Sequence, residues 1–387
     1  MRRTVGLPAA ALILTVLLGA CGGETATSSA PPAATAPNWS DLSFDRTMEL
    51  DYAQEFSVRY CGEDYKLIGI DGEDQRLLVV AEGAPVPAGL EEDITVLQQP
   101  LDQIYLAATA GMDYFRQLGA IGDITLSSQK ESGWYIPEAR DAMEAGTMQY
   151  AGKYSAPDYE RILSQGCDLV IENTMIYHTP EVKEQLEELG IPVLVERSSY
   201  ESDPLGRMEW LKFFAALVDE EDQADAYFDQ LTDELSGVIG QAPADRTVAF
   251  FYVTSNGAVN VRRSGDYVAK SIALAGGTYL SFDDLEDGDA RSTMTIQMET
   301  FYAGAQDADL LIYNSTIDGE LQSLDQLLAK SPLLADLKAV QAGNVWCVSK
   351  NFYQESLELG DMILDVHAIL TDPAVDDSQL HFLYRLT

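Results

Sequence analysis

Three histidines, His178, His367 and His381, are all that a chain of 387 residues offers in imidazole ligands. They fall in separate stretches, two of them in a predicted final helix and the tail, so a three-histidine metal site is not expected. Nineteen tyrosines and 63 carboxylates leave one bare-metal chemistry open, a lone ferric ion held by phenolate and carboxylate oxygens. Bond-making chemistry has less support. The chain contains no GxSxG elbow, no GxxxxGK[ST] phosphate loop, no HExxH and no CxxC. Gly276-Gly277 follows a predicted helix, which makes the pair a C-terminal cap and not a phosphate cradle. What remains is recognition chemistry. Arg197 directly follows the apolar run VLVE, with Ser198 and Tyr200 close behind, in a chain with only 24 basic residues. A guanidinium pairs with carboxylates and aromatic faces stack, so arginine and aromatic side chains at strand ends can hold a flat, anionic solute.

The elements that would position such residues can be read from periodicity. MELDYAQEFSVRYC, YKLIGIDG and QRLLVVAEG alternate polar and apolar residues between turns, as antiparallel strands do. From about residue 94 strands alternate with helices. DLVIEN is a strand, Thr179-Pro180 opens a helix with threonine at the N-cap, and IPVLVE is the next strand, one βαβ crossover of a parallel sheet. Between 204 and 240 the strand pattern stops. Trp210, Phe213, Phe214, Leu217, Ala224, Phe228, Leu231 and Leu235 recur at helical spacing, which predicts one long helix joining two α/β lobes. Strand and helix alternation then resumes through TVAFFYV and NVWCVS to a final helix over roughly 357–370. The fold class expected is α/β, two lobes with mainly parallel sheets and N-terminal antiparallel strands.

One unit occurs twice. DYERILSQGCDLVIE (158–172) and METFYAGAQDADLLIY (298–313) each open a short helix, turn at an aspartate and enter a buried strand, with Glu160 and Glu299 at matching places. Glu160 lies eight residues before Asp168, whereas Glu299 lies ten before Asp309.

Charge and the N-terminus bound the partners. Sixty-three acidic against 24 basic residues give a net charge of −39, a field that repels a phosphate backbone and excludes nucleic acid. MRR, an apolar run over 9–18 and the small residues before Cys21 read as a secretory signal. Residues 22–37, rich in small residues and proline, read as a tether. The odd count of Cys61, Cys167 and Cys347 leaves at least one thiol unpaired.

The sequence LGAC (18–21) resembles a bacterial lipobox, which implies cleavage before Cys21, lipid attachment to its sulfur, and anchorage at the outer face of the bacterial cell membrane. With GKYSAPDYERILSQGCDLVIE, TPEVKEQLEELGIPVLVE, QMETFYAGAQDADLLIYN and LKAVQAGNVWCVS, it gives a chain that is similar over roughly 90–370 to substrate-binding lipoproteins of ABC importers. The class it most resembles is the one that binds ferric siderophores, haem and cobalamin. The resemblance implies a monomer without a resident cofactor that captures an iron chelate or corrinoid between its lobes. It would then deliver the ligand to a permease and its ATPase, and Glu160 and Glu299 would meet basic residues there, facing away from the cleft. The organisation implied is a signal peptide (1–20), lipidated tether (21–46), N-terminal lobe (47–203), connecting helix (204–240) and C-terminal lobe (241–387). Cleft candidates in the first lobe are Trp134, Tyr150, Tyr154, Tyr177, His178, Arg197 and Tyr200. In the second they are Tyr252, Arg262, Tyr313, Asn314 and Tyr353. A bare-ion binder or a surface hydrolytic enzyme is the alternative reading.

Overall fold

The computed structural model describes residues 36–282 and 293–387, so Cys21 and the tether up to residue 35 lie outside the described residues. The first described strands form a five-stranded sheet of their own: β1 (Arg46–Thr47), β2 (Phe56–Cys61), β3 (Tyr65–Ile70), β4 (Arg76–Val80) and β5 (Ile94–Gln98). Pairing is antiparallel as expected from β1 to β4, but β5 joins β4 in parallel. The alternation of β2 reads out directly, with Phe56, Val58 and Tyr60 buried and the residues between them exposed.

The first lobe follows as β6 (Ile104–Leu106), α1 (Gly111–Gln117), β7 (Ile124–Ser127), α2 (Pro137–Ala145), β8 (Gln149–Tyr150), the hairpin β9 (Gly152–Lys153) and β10 (Ala156–Pro157), α3 (Tyr159–Ser164), β11 (Leu169–Asn173), α4 (Pro180–Glu188) and β12 (Val193–Glu196). Its main sheet, ordered β12-β11-β6-β7-β8, is parallel throughout. Thr179 stands at the N-cap of α4 as its sequence predicts, yet its buried hydroxyl makes no capping bond.

The connecting stretch departs from a single rod. Helix α5 (Pro204–Val218) ends at Asp219, whose φ of 60° is left-handed, and α6 (Glu221–Ser236) starts two residues later. Aspartate is one of the few side chains that tolerates this conformation, so the break is local and sharp. The second helix doubles back: the Lys212 ammonium lies 3.3 Å from the Asp225 carboxylate and 5.2 Å from the Phe228 ring. Only α5, about 22 Å long by helical rise, therefore crosses between the lobes. It is buried along its whole length but for Val218, and Trp210, Phe213 and Phe214 pack on Phe56, Tyr114 and Phe115. A helix buried on every side belongs in a core, where its Arg207, Glu209 and Lys212 are the exceptions to an otherwise apolar surface.

The second lobe comprises β13 (Thr247–Val253), β14 (Val259–Arg262), α7 (Tyr267–Leu274), β15 (Thr278–Tyr279), β16 (Thr293–Ile296), α8 (Met298–Ala305), β17 (Leu310–Tyr313), α9 (Leu324–Lys330), α10 (Lys338–Gln341), β18 (Val345–Val348), α11 (Leu359–Thr371) and β19 (Leu383–Arg385). β13, β17 and β18 run parallel at the centre, with β14, β16 and β19 antiparallel at the flanks. Gly276, at φ 88°, closes the turn after α7 as the sequence indicates.

The duplicated unit is structural. α3–β11 and α8–β17 occupy corresponding places, and α8 has eight residues against six in α3, which accounts for the two extra residues in the second copy. The N-terminal sheet is pinned to the connector by buried carboxylates that no local pattern announces. Glu209, fully buried on α5, accepts hydrogen bonds from the backbone N–H groups of Asp51, Tyr52 and Ala53 at 2.8–2.9 Å. Glu201 accepts from the backbone of Gln54 and Glu55 and from the Trp210 indole at 3.0 Å. Gly206 permits this approach, since a Cβ there would lie 2.9 Å from the Tyr52 carbonyl oxygen. Cys61, Cys167 and Cys347 are free thiols.

Candidate functional site

A cleft of about 680 Å³ is lined from both lobes and from the connector. The first lobe contributes residues 108–110 after β6, 173–175 at the end of β11, and Glu196, Ser199 and Tyr200 at the end of β12. The second contributes Tyr252 on β13, Asn260 and Arg262 on β14, Asp266 and Tyr267 at the start of α7, Asn314 after β17 and Tyr353 after β18. Apart from those on the antiparallel β14 and at the start of α7, these residues stand at the carboxyl ends of parallel strands, where side chains can converge without interrupting a ladder.

Two arginines dominate its chemistry. Arg207, in the first turn of α5, is 7% exposed, and its guanidinium lies 4.4 Å from the centre of the Tyr267 ring. Among the described residues it has neither an ion-pair partner nor a side-chain hydrogen bond. Glu196 and Asp266 are the nearby opposite charges. The Glu196 carboxylate accepts the Ser198 N–H at 2.6 Å, and burial raises its pKa against the opposing pull of that hydrogen bond and of Arg207. Arg262 is better tied. One guanidinium nitrogen lies 3.3 Å from Asp266 and another donates to the Tyr353 hydroxyl, which also accepts from the Asn314 amide at 3.1 Å. The Tyr279 hydroxyl donates to the Arg262 carbonyl at 2.7 Å. Burial pushes the Tyr267 phenol up, against the pull of both arginines, so it stays a neutral stacking and hydrogen-bonding group. Met175 and Ile317, 48% and 58% exposed, stand on opposite rims. The arrangement can therefore bind anionic oxygens at two fixed guanidiniums, stack a flat ring, and cover it with apolar edges.

Of the residues singled out in the sequence, Tyr200, Tyr252, Arg262, Asn314 and Tyr353 line this cleft. The others are placed elsewhere. Trp134 is buried with its indole donating to Ser127 at 3.3 Å, and Tyr154 packs against the first-lobe core. Tyr150 has Lys130 5.5 Å from its ring, and His178 is exposed. Tyr313 is fully buried in the second-lobe core, edge-on to Phe251. Arg197 is engaged structurally: it pairs with Glu55 at 3.1 Å, donates to the Tyr177 hydroxyl at 3.1 Å and covers the Tyr200 ring. Tyr177 in turn donates to Glu73 at 2.6 Å, and burial with that carboxylate pushes its phenol up to about 12. Arg207, Asp266 and Tyr267 were not anticipated. The available signal was a charged residue within the apolar helix PLGRMEWLKFFAALV, where burial requires a purpose for the charge.

Glu160 and Glu299 are both exposed and are each the second residue of their helix. Their expected placement away from the cleft can be compared with where their helices begin. The backbone of Asp158 bonds to Ala151, and Ala151 to Ser127 at the carboxyl end of β7. Ile296, just before α8, pairs with Val259, which pairs with Val253 at the carboxyl end of β13. Both helices thus begin on the side of the sheets where the cleft opens, because a helix leading into a parallel strand starts at that strand's far end.

Comparison with known proteins adds three findings. A family model described as periplasmic binding protein matches residues 108–350. Over 361 residues the chain is 27% identical to an uncharacterized lipoprotein of Methanocaldococcus jannaschii, covering 89% of this chain and 85% of that protein. Among solved structures it is similar to a periplasmic haem-binding protein of Pseudomonas aeruginosa (17% identity, TM-score 0.56, 74% of this chain and 99% of that one). It is also similar to an Fe3+-hydroxamate transport system protein of Saccharomonospora viridis (20% identity, TM-score 0.54, 70% and 94%). At such identities the structural likeness concerns the fold, and the N-terminal sheet of β1–β5 precedes the matched family region.

Proposed function

The chain belongs to the periplasmic binding protein family, and from that premise we propose that it is the solute-binding lipoprotein of an ABC importer, capturing an anionic iron chelate between its lobes. The observation that carries the ligand class is Arg207, a buried guanidinium on α5 that lines the cleft without an ion-pair partner among the described residues, with Arg262 of the second lobe beside the same Tyr267 ring. Burial opposes its charge while Glu196 and Asp266 support it from beyond ion-pair distance, so its N–H donors have no acceptor among the described residues and suit an incoming anion. Carboxylates or catecholate oxygens of a siderophore, or haem propionates, meet that need, and Tyr200, Tyr252, Tyr267 and Tyr353 offer faces to an aryl or macrocyclic ring. A bare ferric ion fits less well, since two guanidiniums repel it. A corrinoid would use the aromatic faces but not the charge. The names of the similar haem-binding and Fe3+-hydroxamate proteins support the same ligand range.

Titration by intrinsic fluorescence against ferric catecholate, ferric hydroxamate, haemin, cobalamin and free ferric ion tests the reading. We expect saturable one-to-one quenching by an anionic iron chelate; binding of none, with turnover of an added ester or glycoside, would favour an enzyme.

Delivery to a permease through Glu160 and Glu299 is part of the same proposal, and the starts of their helices support it. Both stand toward the face on which the cleft opens, the face that must meet a transporter to hand over its cargo, one charge per lobe. Charge reversal at either is expected to lower cellular uptake about tenfold, the scale of losing one charge-assisted contact, with chelate affinity unchanged. Reduced affinity in the isolated protein would instead assign them to the ligand. Anchorage through a lipid on Cys21 belongs to the same proposal, and mass spectrometry of the membrane-extracted protein would detect it.

A further inference from the structure

We propose that Gln354 is a positioning residue that fixes the width of the cleft from outside it, a role that rests on the cleft being the binding site. Residues 354–358 link β18 of the second lobe to α11, and they bond repeatedly to the first lobe. The Gln354 side chain is used at both ends: its carbonyl oxygen accepts the Tyr135 N–H at 2.7 Å, and its amide donates to the Gly133 carbonyl at 2.7 Å. The Ser356 hydroxyl donates to the Ala110 carbonyl at 3.1 Å, and the Leu357 N–H donates to Asp113 at 2.8 Å. Arg116, held by Asp113 at 2.7 Å, reaches Glu358 at 2.7 Å. Gln354 is 8% exposed and Asp113 is fully buried, so these bonds are shielded from competing water.

The strap begins and ends on cleft residues. Tyr353, directly before Gln354, presents its hydroxyl to Arg262 and Asn314, and Ala110, which Ser356 holds, lines the first-lobe side. The lobes are thus joined through a shared core in which α7 and α11 pack on α5, and again beside the cleft by this strap. A strap beside the cleft limits the relative motion that the shared core still allows, and the distance between Ala110 on the first-lobe side and Tyr353 on the second is set before ligand arrives. An amide bonded at both ends to backbone is suited to this task. Leucine of similar volume makes neither bond, and glutamate keeps the acceptor but sets a negative charge against the Gly133 carbonyl.

The test is double electron–electron resonance between spin labels at Leu163 and Leu333, exposed positions on the first and second lobes, in a chain carrying Cys61→Ser and Cys167→Ser. It is combined with haemin and ferric catecholate titrations and with melting curves of Gln354→Leu and Gln354→Glu. The wild-type distance distribution should be narrow. Both variants should broaden it, with melting temperature nearly unchanged and affinity for whichever probe the wild type binds lowered about tenfold. Distance distributions identical to wild type would overturn the proposal, as would affinity loss that only tracks a fall in melting temperature. Broadened distances in a protein that binds neither probe would uphold the strap while refuting the chelate reading, so the two failures are distinguishable.

Discussion

Replacing Arg207 by glutamine is expected to weaken binding of an anionic iron chelate by about 100-fold, close to 2.7 kcal/mol, while leaving the fold intact. The magnitude is that of a charge-assisted pair formed away from water, which greatly exceeds the 0–1 kcal/mol typical of an exposed pair. Arg207 is 7% exposed, so solvent screening does little to reduce it. Stability should not fall in step. The guanidinium has no ion-pair partner within bonding distance among the described residues, and the relief of its desolvation offsets the loss of the Tyr267 face and of its longer-range attraction to Glu196 and Asp266. Lysine at 207 keeps the charge but loses the planar fork and the stacking, and an intermediate loss of about tenfold is expected. Calorimetric titration of the three proteins with one anionic and one neutral ferric chelate checks the account. The neutral chelate should be nearly indifferent to the substitution, and equal losses for both would point to a packing role.

Glu172→Gln should raise stability by several kcal/mol at pH 8 and by almost nothing at pH 4.5. Glu172 lies on β11 at 0% exposure, and neither of its carboxyl oxygens has a hydrogen-bond partner. Burial pushes its pKa from about 4.5 up to about 8. Below pH 4.5 both folded and unfolded chains hold the proton, and the group is neutral in the balance. As pH rises from there the unfolded chain ionises first, so stability falls progressively and the loss is complete near pH 8, when the folded group also ionises. The shift itself sets an upper bound on the order of 5 kcal/mol. Glutamine cannot ionise and removes the slope. Denaturant unfolding of both proteins across pH 4.5–8.5 measures it, and curves that stay parallel would show that the folded protein ionises Glu172 at its ordinary pKa.

The architecture was legible where it depends on local periodicity. Alternation placed β2 to β4, the crossover from β11 through α4 to β12 followed from its turn residues, and the duplicated glutamate unit is the same helix–strand piece in both lobes. The break at Asp219 was not legible, because the apolar stripe continues in register from α5 into α6 while a single left-handed residue folds the helices back. The site was legible in part, by the rule that ligands meet strand ends. That rule finds Tyr200 and Arg262 but cannot see Arg207, which reaches the cleft from a helix, nor exclude Arg197, which is captured by Glu55 across 142 residues of sequence. Pairing over such separations is decided by the tertiary fold and leaves no trace in spacing.

On the proposed function, an anionic iron chelate is expected between the lobes, at the two arginines. A crystal structure of the protein with the tightest-binding chelate of the fluorescence panel tests it most directly. The account predicts the ligand's anionic oxygens within hydrogen-bond distance of Arg207 and Arg262, its ring against Tyr267 or Tyr353, and contacts to both lobes at once. A ligand bound to one lobe alone, or anywhere outside this cleft, would contradict it.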